Sequence, residues 1–207
     1  MKVRDSPVVN GSDGLFEISG MTVITISRQY GSLGNNIANA VASRLGWPVL
    51  MRDIINQAAL RAGAPEVALA VIDELHLLGV TPSPSEYQAY IDSLKSVLEE
   101  LARQDCKIIV GRAGQVVLRD RPGVLHVRVI APFEVRAQRM AERHHISLQA
   151  ARAQARASDR ERASFLKRFF NTDWNDPLLY DLVINTGRIS INSACDLICL
   201  AAERCRP

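Results

Sequence analysis

Residues 24–38 read Ile-Thr-Ile-Ser-Arg-Gln-Tyr-Gly-Ser-Leu-Gly-Asn-Asn-Ile-Ala, an apolar β-branched run, a short loop with Gly31, Ser32 and Gly34, and then apolar residues at helical spacing. A strand–loop–helix unit of this kind aims backbone N–H groups and the positive end of a helix dipole at one point, which suits a phosphate. The G-x-x-x-x-G-K-[ST] phosphate loop also needs a lysine, yet no lysine occurs between Lys2 and Lys95. With strand ends superposed, Gly34 stands where the lysine would be, and Asn35 and Asn36 stand near the Ser/Thr position. Arg28 is the nearest cation.

Two further groups of cations could serve the same chemistry. The short apolar strand Lys107–Val110 delivers Gly111 and Arg112 to a sheet edge, where open α/β sheets bind ligands and a planar guanidinium suits bidentate phosphate binding. Residues 147–170 carry Arg152, Arg156, Arg160, Arg162, Lys167 and Arg168, with Asp159 and Glu161 among them. On a helix Arg152, Arg156 and Arg160 share a face and Arg162 points elsewhere. Phosphoryl transfer spreads charge over equatorial oxygens and needs such cations close by.

The elements that position these groups follow from the chain's periodicity. Residues 1–20 show no sustained period and read as a flexible leader. A helix follows the first loop, and Val49–Met51 is a short second strand. Residues 52–63 and 66–79 read as helices, and a third runs from a cap at Ser85 to about Gln104. This helical block lies between two strands, as an insertion in a sheet would. Val124–Ile130 is a strand with His126 and Arg128 alternating against apolar neighbours, and a helix starts at Phe133 after Pro132. His126 reads as a strand-face residue, and Ser147 after His144-His145 reads as a helix cap rather than part of a metal site.

Composition limits the function classes. The chain has 207 residues, 47% of them hydrophobic, and a net charge of +3. That is ample for one α/β domain and too mild a charge to point to nucleic acid. Cys106, Cys195, Cys199 and Cys205 include no C-x-x-C pair, and no long apolar span occurs, so a reducing cytoplasm and no membrane are expected. A zinc site from Cys195, Cys199 and Cys205 competes with core packing, and the spacing of Cys195 and Cys199 on an apolar helical face favours packing.

Taken together, Ile24–Ser32, Ile109–Arg112, Ala131-Pro132 with Arg136 and Arg139, Asp159–Ala163, Asp173-Trp174 and Tyr180–Thr186 resemble the cytidylate kinase-like family of P-loop proteins over residues 22 to about 203. The resemblance implies an α/β, P-loop NTPase-type three-layer sandwich. In it a parallel sheet is flanked by helices, residues 52–104 form a helical monophosphate-binding insertion within domain 21–207, and residues 147–176 form an arginine-bearing lid. It implies ATP and Mg²⁺ as donor and cofactor, nucleoside mono- and triphosphates as ligands, and no nucleic acid; a homo-oligomer is left open.

Carried over by position, Tyr30, Gly31, Ser32, Leu33, Gly34, Asn35 and Asn36, with Arg28, would hold the donor triphosphate. Arg112, with Arg52 and Asp53, would bind the acceptor. Arg162, spaced D-x-x-R from Asp159, would act on the transferring phosphoryl, with Arg156 and Arg160 as supporting lid cations. Thr186, Gly187 and Arg188 would lie near the adenine. Cytidylate kinases proper carry a lysine at the Gly34 position and an acid at the Ala113 position. Cytidylate kinase-like relatives also lack the lysine, and commonly have an Arg-Glu pair where this chain has Asn35-Asn36 and an acid where it has Met51. Two functions are therefore expected: an ATP-dependent nucleoside monophosphate kinase, or a nucleotide-binding protein that has lost catalysis and works as a regulatory or structural module.

Overall fold

The computed structural model describes residues 23–61, 63, 83–104 and 106–204, with the backbone alone for 52–54, 58, 59 and 204. The segments read above as a leader and as a helix over 66–79, and Cys205, lie outside these residues.

Strand β1 (Val23–Arg28) is buried along nearly all its length because both its edges and both its faces are covered. It pairs in parallel with β3 (Lys107–Val110) on one side and β4 (Val124–Ile130) on the other. Strands β2 (Val49–Leu50) and β5 (Leu182–Asn185) complete a parallel sheet in the order β2-β3-β1-β4-β5. Thr25 and Ser27 in β1 and His126 and Arg128 in β4 interrupt the apolar runs yet are themselves buried, because helices cover both faces of such a sheet.

On one face Ile24, Ile26, Val127 and Val129 meet α1 (Gly34–Leu45) and α7 (Ile191–Arg204) through Ile37, Val41, Ala194 and Ile198. On the other, Val23 and Ile109 meet α3 (Pro84–Arg103), whose Tyr90, Ile91, Leu94 and Leu98 recur at helical spacing. Each fully buried aliphatic side chain contributes about 1.5–3 kcal/mol, so this stripe is what fixes α3 on the sheet. Helix α2 (Arg52–Arg61) packs beside it. The result is the expected three-layer sandwich.

The cap of α3 departs from the sequence reading. Ser83, not Ser85, is the N-cap: its hydroxyl accepts the Glu86 N–H, and the Glu86 carboxylate accepts the Ser83 N–H at 2.7 Å. Pro84 explains the shift, since its fixed φ and missing N–H suit the first helical position, which places Glu86 three residues after the cap.

Helices α5 (Phe133–His144) and α6 (Leu148–Phe170) pack against each other, with Ser147 capping α6 through the Ala150 N–H at 3.2 Å. Cys195 and Cys199 are buried in the core, where burial and then the neighbouring Cys195 push the Cys199 thiol up to about 12. No group of three or more His, Cys, Asp or Glu among the described residues could hold a metal, and no described helix is long and apolar enough to cross a membrane. His126 is buried on its strand, its Nδ1 sharing a 2.7 Å hydrogen bond with the Thr25 hydroxyl, and burial holds its pKa below the usual histidine value.

Candidate active site

The connection after β1 leaves toward β2, while that after β3, through α4 (Gly114–Val117), leaves toward β4 on the other side of β1. Two adjacent strands whose chains depart in opposite directions open a crevice beyond their carboxyl ends. Arg28 ends β1, and Gly111-Arg112 follow β3 across that crevice. A cavity of about 160 Å³ lies here, under the inner side of α6, lined among others by Arg28, Arg112, Arg162, Glu161, Phe165 and Trp174.

The loop from Arg28 to α1 is shaped by left-handed residues. Gly31 has φ 77°, and a Cβ there would lie 2.8 Å from the Arg136 carbonyl oxygen, so only glycine lets the loop settle on α5. Leu33 has φ 64° and caps α1 without a side-chain hydrogen bond. The first intrahelical bond runs from the Ile37 N–H to the Leu33 carbonyl at 3.0 Å, so the N–H groups of Gly34, Asn35 and Asn36 precede the helical ladder. Three first-turn donors and the helix dipole together suit an anion. Ser32 faces inward instead: its hydroxyl donates to the Gln29 carbonyl at 2.8 Å, and its carbonyl accepts from the Thr186 hydroxyl at 2.9 Å. Arg139 donates to the same Thr186, to its hydroxyl at 3.0 Å and its carbonyl at 2.8 Å, joining loop, α5 and the end of β5.

Arg112 sits in a run of left-handed backbone, with φ 82°, 52° and 57° at Gly111, Arg112 and Ala113. For the two non-glycine residues that conformation is costly, of the order of 1–2 kcal/mol each. It turns the chain sharply at the crevice, and the Gly114 N–H closes the turn on the Gly111 carbonyl at 3.1 Å.

Asp159 connects α6 to the loop. Its carboxylate accepts the Tyr30 N–H at 2.9 Å, Arg136 Nη1 at 2.8 Å and Arg162 Nη1 at 3.3 Å. Arg136 is only 4% exposed and also donates to the carbonyls of Tyr30 at 2.8 Å and Ala131 at 3.0 Å. The Tyr30 amide is thus committed to α6, and Asp159 holds Arg162 at the cavity.

Against Trp174, which lines the cavity, packs a second buried cation. Arg128 donates to the Trp174 carbonyl and to Asn175 Oδ1, the latter at 2.8 Å, and its guanidinium stacks on the Trp174 ring at 4.5 Å. Trp174 in turn donates from its indole nitrogen to the Ser27 hydroxyl at 2.8 Å. Burial pushes the Arg128 pKa down, opposed first by the neighbouring Tyr180, whose own hydroxyl burial pushes up.

The structure therefore brings Arg28, Arg112 and Arg162 to one cavity, with Asp159 behind them, and sets Gly31–Asn36 beside it around the start of α1. Arg152, by contrast, pairs with Glu134 at 2.8 Å, Arg156 stacks on Phe133 at 5.0 Å from its centroid, and Arg160 is exposed. The side chains of Arg52 and Asp53 lie outside the described residues. Sequence reasoning assigned no role to Arg136, Arg128 or Glu161; the Ala131-Pro132 turn four residues before Arg136 was the available signal for the first.

The chain matches the cytidylate kinase-like family over residues 23–188, and it belongs to that family. A cytidylate kinase from Methanothrix thermoacetophila is 32% identical over 169 residues, covering 80% of this chain and 89% of the relative. Among solved structures, an uncharacterized protein from Eubacterium ventriosum superposes with a TM-score of 0.70 at 19% identity, covering 89% of this chain and 99% of that one. A shikimate kinase from Acinetobacter baumannii in complex with shikimate superposes at 0.50 with 15% identity, covering 86% and 91%. The fold is that of the P-loop kinases.

Proposed function

We propose that the protein is an ATP-dependent nucleoside monophosphate kinase of cytidylate-like specificity. The observation that carries this reading is the meeting of Arg28, Arg112 and Arg162 at one cavity beside an uncapped helix N-terminus, outside the carboxyl ends of β1 and β3. The monophosphate's own oxygen is the nucleophile and is already anionic, so the reaction needs no general base. The bond from the γ-phosphorus to the bridging oxygen of ATP breaks, a bond from that phosphorus to the acceptor phosphate forms, and the products are ADP and a nucleoside diphosphate.

The first turn of α1 would hold donor phosphates, Arg112 the acceptor phosphate, and Arg162 the charge that spreads between them. Mg²⁺ is usually carried by the phosphates with few protein ligands, and the exposed amide side chain of Asn36 would be the one at the loop to meet it, since Asn35 Oδ1 already accepts from Arg28 Nε. There it would neutralise charge on the donor. The 32% identity to a cytidylate kinase supports the choice of CMP as acceptor. A second reading, a nucleotide-binding module without turnover, is favoured by the glycine at the lysine position.

Arg112→Ala tests the acceptor assignment. It is expected to weaken CMP binding by about 1.5–3 kcal/mol, the size of a charge-assisted hydrogen bond, and to leave ATP binding and the ligand-free melting temperature nearly unchanged. Titration calorimetry with each nucleotide measures both affinities. Equal losses for CMP and ATP, or a lower melting temperature without ligand, would make Arg112 a structural residue.

A further inference from the structure

At the start of α1, where a phosphate-loop lysine would project, the chain has Gly34, and the space its side chain would fill is already taken. A Cβ on Gly34 would lie 2.5 Å from Arg28 Cβ and 2.9 Å from Arg28 Cγ. These are the root atoms of the arginine, close to the backbone, which cannot swing aside as the tip of a flexible side chain can. Farther along, a Cβ on Gly111 would lie 2.5 Å from Arg28 Nη1. The arginine thus runs from the end of β1 across the first residue of α1 to the turn after β3. Midway, its Nε donates to Asn35 Oδ1 at 3.1 Å, which fixes the direction of the guanidinium. Its route joins the helix N-terminus to the cavity that holds Arg112 and Arg162.

We propose that Arg28 is the phosphate-binding cation of this loop, delivered from the preceding strand instead of from the helix, and that Arg28 and Gly34 form one exchangeable unit in which the glycine is the passage that admits the arginine. Its ligand is the phosphoryl chain between donor and acceptor, an assignment that rests on the kinase reading; the steric coupling of the two positions does not. A planar guanidinium can bridge oxygens of two phosphoryl groups where an ammonium acts as a point charge. The absence of lysine from the loop is then a relocation of the charge. A lysine restored at position 34 alone would collide with the arginine.

The test uses Arg28→Gln, Arg28→Gly, Gly34→Lys and the double variant Arg28→Gly/Gly34→Lys, with ligand-free melting temperature and the affinity for Mg·ATP as readouts. Glycine is needed at position 28 in the double variant because alanine would keep the colliding Cβ. Arg28→Gln, which retains the stem, is expected to melt within about 2 °C of the unaltered protein and to bind ATP at least about tenfold more weakly. Gly34→Lys should melt lower. The double variant should melt above Gly34→Lys and bind ATP at least about threefold more tightly than Arg28→Gly, as a charge restored at the same place requires. ATP affinity unchanged by Arg28→Gln, or a double variant melting no higher than Gly34→Lys, would overturn the inference. If the unaltered protein binds no ATP, the kinase reading falls and this ligand falls with it, whereas the melting temperatures alone still decide the coupling of the two positions.

Discussion

Arg162→Ala is expected to lower kcat for phosphoryl transfer from ATP to CMP at least about a hundredfold, the usual effect of removing one preorganised donor from a transition-state site, while the affinities for both nucleotides change little. The split follows from geometry. Asp159 holds Arg162 at 3.3 Å, but it also holds the Tyr30 N–H and Arg136, so truncating Arg162 leaves α6 attached to the loop. The cavity keeps its shape and loses one charge. That charge matters most when negative charge has spread over the transferring group, which lowers kcat and kcat/KM together. Steady-state kinetics with both substrates varied would measure it. A rise in KM with kcat preserved would place Arg162 in ground-state binding instead.

Arg136→Met is expected to have the largest effect on stability, a loss of about 3–5 kcal/mol, as when one partner of a buried ion pair is removed. The guanidinium serves three acceptors at once, the carbonyls of Ala131 and Tyr30 and the Asp159 carboxylate, and methionine serves none of them. The Asp159 side chain is only 19% exposed and would keep the Tyr30 N–H and Arg162 as its partners. For a domain of this size the melting temperature should fall by roughly 6–20 °C. By contrast, Arg162→Ala should lower it little, because that pair is wider and partly exposed. A change of less than about 2 °C for Arg136→Met would mean that the contact between α6 and the loop contributes nothing to the folded state.

These two arginines show what the sequence made visible. The runs at 24–26 and Lys107–Val110 were legible as strands because central parallel strands are rich in apolar residues, Val124–Ile130 was legible in spite of His126 and Arg128, and the loop was legible because its glycines follow the first of them. Helical spacing separated Arg162 from Arg152, Arg156 and Arg160, and the structure keeps them apart. What spacing could not say is which partner each face meets. Arg152 and Arg156 turn to Glu134 and Phe133 of the neighbouring helix, and Arg162 turns to the cavity. Charged residues are rarely buried, and nothing in the spacing of Arg136 and Arg128 shows that the fold encloses them among acceptors from distant segments. The cap of α3 was misplaced by two residues because Ser83 and Ser85 are chemically alike, and only Pro84 distinguishes them. The passage for Arg28 was invisible for a different reason: a glycine shows in the sequence, but the atoms that exclude its side chain do not.

The measurement that bears most directly on the kinase reading is turnover by the unaltered protein, followed by chromatographic separation of products from ATP, Mg²⁺ and each of the common nucleoside monophosphates in turn. Formation of ADP and CDP in equal amounts, slow but proportional to protein concentration and strongest with CMP, is the predicted result. ATP and CMP binding with no diphosphate formed from any monophosphate would contradict it and leave a nucleotide-binding module.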